Sequence, residues 1–176
     1  MNDKELIEKF KDGSRYAFEE LIKKYQKTVY WHARRMTGNH FDADEITQQV
    51  LLTIYSKLET FKFESEFSTW VYRITVNKTI NYLRKEKIKK FLSLDSVIKK
   101  DNRDIVKNFE DKEKLNRLNE VLTEIPEKQR EVFILRHFDE LTYEEISKIT
   151  GKTVGALKSN YFHAIKKITN RINNEI

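Results

Sequence analysis

Apolar side chains recur every three or four positions along most of this chain, which is the period of an amphipathic helix. The first run predicts a short helix over residues 3–11, and Ser14 can cap a longer helix that extends to about Met36. Gly38 and Asn39 then interrupt the pattern. Because the whole sequence holds only one proline and four glycines, few breaks of this kind are available. The pattern therefore predicts an all-α protein.

The third and fourth helices are predicted from their capping residues. Asp42 and Glu45 have the spacing of a capping box, in which two side chains satisfy free backbone N–H groups at a helix start. Residues 61–67 are predicted to form a loop, after which Ser68 or Thr69 can cap the next helix. That helix extends to about residue 90, where the regular apolar spacing ends.

The C-terminal third carries the signature of a helix-turn-helix. Pro126 is well placed in the first turn of one helix. Thr142 and Glu145 form a second capping-box pattern, which starts a helix of about seven residues. Gly151 supplies a turn, and Thr153 can cap a long final helix. A short helix, a tight glycine-containing turn and a longer helix are the elements of a helix-turn-helix.

Composition narrows the class of protein. Apolar residues make up 39% of the chain and charged residues 35%, which is typical of a soluble globular protein. The sequence contains neither a run of about 18 apolar residues, which a membrane span would need, nor a visible signal peptide. The absence of cysteine excludes disulfides and thiolate metal ligands and is compatible with a reducing cytoplasm.

The placement of charge tells more than the net charge of +6. Residues 68–90 hold seven Lys or Arg against one acid, and residues 150–176 hold five against one. Residues 110–149, between them, hold eleven acids and seven bases. Two basic segments separated by an acidic one indicate two places where a polyanion could bind, although a solvated helix face is the more common explanation of a single charged segment.

The last helix is predicted to pack one face on its own domain and leave the other face free. Its apolar stripe consists of Val154, Leu157, Tyr161, Ile165, Ile168 and Ile172. The opposite flank carries Gly155, Lys158, Ser159, Phe162, His163 and Lys166. A recognition helix that enters the major groove of DNA needs this division. An ordinary amphipathic surface helix has it too, so this segment alone leaves DNA binding open.

The helix that starts near residue 68 has a second polar stripe beside aromatic residues. The stripe consists of Arg73, Asn77, Asn81, Arg84 and Lys85. The aromatic residues at its beginning are Phe61, Phe63, Phe67 and Trp70. Guanidinium and amide groups suit phosphates and base edges, and aromatic rings can stack on unpaired bases. Each aromatic could instead be a core residue, and the co-occurrence of stripe, basic tail and aromatic loop is what favours single-stranded nucleic acid.

Three segments together resemble a known family. They read DADEITQQVLLTIYSKLETF, FSTWVYRITVNKTINYLRKEK and IPEKQREVFILRHFDELTYEEISKITGKTVGALKSNYFHAIKKI. In order and spacing they are similar to the two conserved regions of the extracytoplasmic-function (ECF) sigma factors, the bacterial RNA polymerase subunits of the sigma-70 class. The resemblance implies two small helical domains, region 2 over residues 1–90 and region 4 over residues 113–176. Residues 91–112, with mixed charge and irregular spacing, would be the flexible linker.

The resemblance also implies roles for the candidate residues. The segment after residue 42 is similar to the helix that docks on core RNA polymerase, with Asp42, Asp44, Glu45, Gln48 and Gln49 on its acidic and amide-bearing surface. The aromatic loop and the polar stripe of the following helix would recognise and help melt the −10 element of promoter DNA. The recognition helix would read the duplex −35 element through Lys158, Ser159, Phe162, His163 and Lys166. Phe63 stands where the family often has glycine.

The partners implied are core RNA polymerase, promoter DNA and an anti-sigma factor, which in this family is often anchored in a membrane. The protein would then act in the bacterial cytoplasm at stress-type promoters, without a cofactor and without catalysis. The four histidines have no metal-site spacing, and the glycines form no phosphate loop. Two alternatives remain: a dimeric helix-turn-helix regulator that binds duplex DNA unaided, and an RNA-binding protein with single-strand affinity.

Overall fold

The computed structural model describes residues 1–93 and 109–173, with the backbone alone over residues 109–116. Every regular element in these ranges is helical, which confirms the all-α prediction. The elements are α1 (Asp3–Lys11), α2 (Arg15–Thr37), α3 (His40–Lys57), a 3₁₀ turn (Leu58–Thr60), α4 (Phe67–Leu92), α5 (Phe109–Glu124), α6 (Glu127–Phe133), a π-helical turn (Ile134–Phe138), α7 (Tyr143–Thr150) and α8 (Val154–Asn173). We call residues 1–93 the N-terminal unit and residues 109–173 the C-terminal unit.

Four predicted helix ends are confirmed by their geometry. The Ser14 hydroxyl accepts a hydrogen bond from the first turn of α2. Thr142 and Glu145 form the predicted capping box at the start of α7. Gly38 ends α2 with φ 71°, and Gly151 ends α7 with φ 72°. Glycine suits both ends because a left-handed backbone is strained for residues with a side chain.

The predicted start of α3 is wrong. The cap is Asn39, whose side-chain oxygen accepts hydrogen bonds from the N–H groups of Phe41 and Asp42. Asp42 therefore lies inside the first turn and forms no capping box with Glu45. The asparagine three residues upstream competes for the same free N–H groups, and it begins the helix earlier.

The predicted cap of α4 is also wrong. The helix begins at Phe67, one residue before Ser68, and the preceding Glu66 makes no side-chain capping bond. Phe67 is buried in the core of the N-terminal unit. Tertiary packing of this aromatic residue, rather than a local cap, sets where α4 starts.

The ends of the predicted linker are helical. α4 continues to Leu92, and α5 already begins at Phe109. Residues 94–108, the middle of the predicted linker, lie outside the described residues.

The two units share part of their core. Val76 of α4 packs with a buried cluster of the C-terminal unit, and Tyr72 and Ile80 pack against the same cluster. The C-terminal members are Val132, Leu135, Ile146, Ile149 and Leu157. The apolar face that the sequence predicts for α4 therefore faces the other unit, while the first half of the helix also contributes to the core of its own unit.

The buried face of α8 differs slightly from the predicted stripe. Leu157, Ala164 and Ile168 are buried, whereas Ile165 and Ile172 are exposed. Since Ala164 is one residue before Ile165, the helix is rotated so that this small side chain lies in a buried cluster with Phe133 of α6.

Candidate nucleic-acid interface

The exposed face of α8 agrees with the predicted duplex-reading surface. Lys158, Ser159, Phe162, His163 and Lys166 are all exposed. Thr153 caps the start of the helix, since its hydroxyl accepts a hydrogen bond from the N–H of Ala156 at 3.3 Å. Buried Leu157 and Ile168 fix the rotation of the helix about its axis. The five side chains are thus held outward on a rigid element, which base and phosphate contacts require.

The start of α8 is also open to close approach. No atom lies within 4 Å of where a Cβ on Gly155 would stand, so the packing of the chain itself does not require glycine there. Lys158 extends beside the ring of Tyr143 in α7, with Nζ 5.8 Å from the ring centroid. Arg136 lies 5.4 Å from the same centroid. Arg136 and Lys158 thus both lie near the Tyr143 ring, next to the reading face. Sequence analysis missed this contact because the three residues come from three elements.

The polar stripe of α4 is exposed along its length, at Arg73, Asn77, Asn81, Arg84 and Lys85. Arg73 nevertheless has a partner: its Nε and Nη2 donate to the backbone oxygen of Lys148 at 3.2 and 2.8 Å. That oxygen lies in the last turn of α7, where carbonyl groups lack helical partners. The structure thus brings the five stripe residues together on one helix and ties the first of them to the C-terminal unit.

The aromatic residues at the start of the stripe form one cluster, in which some rings are buried and others reach the surface. Phe61 and Phe67 are 7% and 4% exposed and belong to the core. Trp70 is partly buried, with its ring centroid 5.0 Å from that of Phe61. Phe63 is 40% exposed and packs on Phe61 from outside, also at 5.0 Å. Burial corrects the expectation for Phe61 and Phe67, which cannot stack on bases in this fold.

The loop that carries Phe63 has a strained backbone at that residue and is held by a hydrogen bond from Lys11. Phe63 has φ 57°, in the left-handed region that favours glycine. Lys11 donates from Nζ to the backbone oxygen of Phe61 at 2.7 Å and lies 4.9 Å from the Phe63 ring centroid. Sequence analysis missed Lys11, because a contact between residues 50 positions apart leaves no local signal.

The candidate polymerase-docking residues on α3 divide between two faces. Glu45 and Gln48 are exposed, on the same stripe as Phe41 (76% exposed) and Leu52 (68% exposed). Spacings of three or four residues place these four side chains in one row. Large exposed apolar side chains in such a row are typical of a protein-binding surface. Phe41 and Leu52 were missed, although their spacing relative to Glu45 and Gln48 could have revealed them.

The remaining α3 candidates have internal partners. Asp42 accepts a hydrogen bond from the Tyr82 hydroxyl of α4 at 2.8 Å. Burial, assisted by this bond, raises the pKa of Tyr82, so the hydroxyl remains a donor. Gln49 donates to Glu45 at 3.1 Å, and Asp44 lies 3.3 Å from Nε2 of His40. Asp42 therefore links α3 to α4, whereas the side chains of the row stay exposed on the surface of α3.

The described ranges hold neither a metal-binding cluster nor a membrane-spanning helix. Residues 1–93 and 109–173 contain no group of three or more His, Asp or Glu side chains that could hold a metal ion. No helix in the same part of the chain combines the length and the apolar character that crossing a bilayer demands. The surfaces on α3, α4 and α8 therefore remain the candidate functional sites.

Comparison with known proteins identifies two family regions along the chain. Residues 21–88 match the family model for sigma-70 region 2, and residues 115–168 match that for sigma-70 region 4. The chain is 31% identical over 169 residues to the ECF RNA polymerase sigma factor SigW of Bacillus subtilis. The alignment covers 89% of each protein.

Solved structures show the same fold. One is CnrH in complex with the cytosolic domain of CnrY, with a TM-score of 0.75, 20% identity and coverage of 99% of both chains. Another is the sigma factor RpoE in complex with the anti-sigma factor NepR from Bartonella quintana, with a TM-score of 0.73, 20% identity, and coverage of 89% of this chain and 96% of that one. From the two family regions and the relative's identity over most of its length, the chain belongs to the ECF sigma factors of the sigma-70 class.

Proposed function

We propose that the three exposed surfaces divide the work of an alternative sigma factor, the class to which the family assigns this chain. The exposed row of α3 binds core RNA polymerase, the stripe of α4 holds the single strand of the −10 element, and α8 reads the duplex −35 element. The observation that supports this division is that three differently built surfaces lie on three separate helices: one acidic and apolar, one basic and amide-rich beside an aromatic, and one on a helix-turn-helix.

The chemistry of each surface suits its assigned partner. Acidic and apolar side chains on α3 favour a protein and repel phosphate, since Glu45 stands in the centre of the row. Arginine and asparagine on α4 can form paired hydrogen bonds with phosphates and base edges, and Phe63 offers an exposed ring for stacking. On α8, lysines can bind phosphates or guanine, and exposed Phe162 suits the methyl group of thymine.

In this role the chain supplies recognition and binding energy and has no catalytic reaction of its own. Base extrusion costs a few kcal/mol, which stacking and hydrogen bonds offset. An anti-sigma factor is a further expected partner, since the structurally similar RpoE is described in complex with NepR. We expect the protein to act in the cytoplasm at stress-type promoters, and to be held at the membrane face while it is bound to an anti-sigma factor that is anchored there.

The test is transcription in vitro with sigma-free core polymerase on genomic DNA fragments, followed by mapping of the start sites. We expect discrete starts that share −10 and −35 sequences. Leu52→Ala should reduce polymerase binding, while Lys57→Ala, a substitution at an exposed position of the same helix outside the row, is the matched control. Binding of the free chain to duplex DNA without any starts would favour a stand-alone helix-turn-helix regulator instead. Affinity for single strands without any −35 preference would favour an RNA-binding protein.

A further inference from the structure

The segment between the 3₁₀ turn and α4 has a strained backbone at one residue. Residues 61–66 form neither helix nor strand, and Phe63 within them adopts φ 57°. A residue with a side chain keeps a left-handed backbone only where the surrounding structure fixes it, and such residues cluster at functional sites. The contacts that fix Phe63 therefore bear on the function of the loop.

Two contacts fix the Phe63 ring. The ring packs on buried Phe61, with the centroids 5.0 Å apart and the ring planes at 64°. From α1, Nζ of Lys11 lies 4.9 Å from the Phe63 centroid and donates a hydrogen bond to the backbone oxygen of Phe61 at 2.7 Å. Lys11 thus contacts the loop twice, at the backbone of Phe61 and, as a cation beside an aromatic ring, at Phe63.

Lys11 is presented by a firmly anchored helix. It lies in the last turn of α1, whose apolar face buries Leu6, Ile7 and Phe10 in the core of the N-terminal unit. Asn2 caps the start of the helix. The helix contacts both α2 and the 3₁₀ turn that leads into the loop. The ammonium group of Lys11 therefore has a defined position relative to the loop.

An ordinary structural ion pair does not account for this lysine. Lys4 of α1 and Lys24 of α2 pair with carboxylates, at 3.9 and 2.9 Å. Lys11 pairs with no carboxylate of the residues that the structure describes, and the acceptor of its hydrogen bond is a backbone oxygen of the loop. The contact thus restrains the loop, whereas the other two pairs join charged side chains of the helices.

The restrained ring keeps surface that a partner can reach. Phe63 is 40% exposed although it contacts both Phe61 and Lys11. Trp70, in the first turn of α4, is partly buried and packs on the same Phe61 ring at 5.0 Å. Two rings with surface left for stacking are thus fixed on one buried ring. A base that stacks on a ring already held in place loses less binding energy to ordering of the loop.

We propose that Lys11 is a positioning residue of the −10 surface, by which we mean the aromatic loop together with the polar stripe of α4. Its ammonium group holds the loop so that the Phe63 ring can receive one unpaired base of the strand. This role rests on the proposed function of α4, and it extends the −10 surface to α1. Lys11 acts through Phe63, so it affects the base that stacks there and leaves the duplex −35 contact unchanged.

The test measures strand binding by the holoenzyme, assembled from the full-length chain and core polymerase. The probe is a fluorescein-labelled, A- and T-rich single-stranded 20-mer, followed by fluorescence anisotropy with core polymerase alone as background. Phe63→Ala should weaken binding about tenfold, which corresponds to the usual contribution of one stacked ring. Lys11→Met should weaken it about fivefold, because the ring remains but is no longer held. Lys11→Arg should restore most of the affinity, since a guanidinium can donate to the same oxygen and lie beside the same ring.

Lys9→Met is the matched control. Lys9 is also exposed in the last turn of α1, but its Nζ lies 3.1 Å from the sulfur of Met1. This variant removes the same charge from the same end of the helix and should leave strand binding unchanged. Equal losses in Lys9→Met and Lys11→Met would mean that the charge of α1 alone attracts the strand, and they would overturn the positioning role.

A double-mutant cycle separates positioning from direct contact with the strand. In a chain that already carries Phe63→Ala, Lys11→Met should weaken binding by less than about twofold. A further loss as large as in the unmodified chain would mean that Lys11 binds the strand itself, and it would overturn the action through Phe63.

Selection from a randomised single-stranded pool gives a readout that a purely structural role would not change. Phe63→Ala and Lys11→Met should both weaken the base preference of the holoenzyme at the same single position. An unaltered preference at that position in Lys11→Met would contradict the proposal. Circular dichroism checks the fold of each variant, and Lys11→Gln, which also removes the charge, repeats the measurements if Lys11→Met fails to fold.

Failure of the proposed function is distinguishable from failure of this inference. If Phe63→Ala binds the 20-mer as tightly as the unmodified chain does, the loop is not part of a strand-binding surface, and the proposed function of the loop is contradicted. If Phe63→Ala loses affinity while Lys11→Met retains it, the loop binds the strand and only the role of Lys11 is contradicted.

Discussion

The two helices proposed to contact DNA, α4 and α8, are alike in sequence pattern but differ in tertiary setting. On α8 all five predicted reading residues point outward, and buried Leu157 and Ile168 anchor the opposite side. On α4 the stripe is exposed as well, yet Arg73 is bonded to α7 and one apolar face packs on the other unit. The difference teaches that a polar stripe marks a surface able to bind, whereas neighbouring elements determine whether it is available.

The burial of polar residues in α4 shows why its pattern is harder to interpret. Thr75 and Thr79 are almost completely buried, and their hydroxyls donate to the carbonyl groups four residues earlier, at 2.9 and 2.8 Å. A threonine that satisfies its own hydroxyl in this way can lie in a core. α4 can therefore pack on more than two sides, against its own unit and against the C-terminal unit, without a continuous apolar pattern.

The largest effect is expected on stability, where a buried aromatic residue of the α4 surface should matter more than an exposed one. Phe67→Ala should lower the free energy of unfolding by about 3–5 kcal/mol, because it leaves a cavity in the core. Phe63→Ala should cost less than about 1 kcal/mol, since the exposed ring loses few contacts and its strained backbone remains. Urea unfolding measures the stability of both variants. Equal losses would contradict the assignment of Phe67 to the core and of Phe63 to the surface.

The second prediction concerns melting by the α4 surface. Trp70→Ala should weaken open-complex formation by about 1–3 kcal/mol, the usual contribution of one aromatic ring stacked on a base, while polymerase binding changes little. Trp31→Ala, at the other tryptophan of the chain, is the control. Permanganate footprinting of the promoter, together with a polymerase pull-down, compares the two steps. An equal loss in both steps would contradict the assignment of Trp70.

The third prediction concerns the α8 surface. Lys158→Ala should reduce the preference of the holoenzyme for its −35 sequence by about 1–3 kcal/mol, because a contact on the reading face is lost. Lys167→Ala, on another exposed face of α8, should leave that preference unchanged. Competition between promoters with intact and substituted −35 elements measures the effect. The same loss in both variants would mean that charge alone, rather than this face, binds the DNA.

The smallest effect is expected at α7, which lies between the two surfaces. Thr142→Ala should destabilise the chain by about 1 kcal/mol, the usual cost of a lost N-cap. Hydrogen bonds from the backbone and side chain of Thr142 lower the pKa of Glu145 below its ordinary value of 4.5. The ionised Glu145 carboxylate therefore stabilises the folded chain above pH 4.5. That stabilisation is lost as the pH falls through the lowered pKa of Glu145.

Unfolding measured at neutral and acidic pH tests this linkage. Glu145→Gln should remove the part of the pH dependence that belongs to the capping box, and Glu144→Gln, an exposed neighbour, should retain it. An identical acid transition in Glu145→Gln and the unmodified chain would contradict the prediction.

Much of the candidate site could be predicted from sequence because its signals are local. Ser14, Gly38, Thr142 and Gly151 mark helix ends through contacts within one turn, and all four are confirmed. The faces of α8 followed from helical spacing, apart from the exchange of Ala164 for Ile165. In each case, residues a few positions apart in sequence are also neighbours in space.

The tertiary structure alone decided which predicted residues are available. It buried Phe67, joined Lys11 to the loop of Phe63, and bonded Arg73 to Lys148 across 75 positions of sequence. A helical wheel shows which face of a helix is apolar and which is polar, but it carries no information about how many other helices will pack on that helix. The sequence by itself determined the helices, the caps of α2 and α7 and the two basic surfaces, whereas long-range packing decided where α4 starts, that one surface is open and that the other is partly covered.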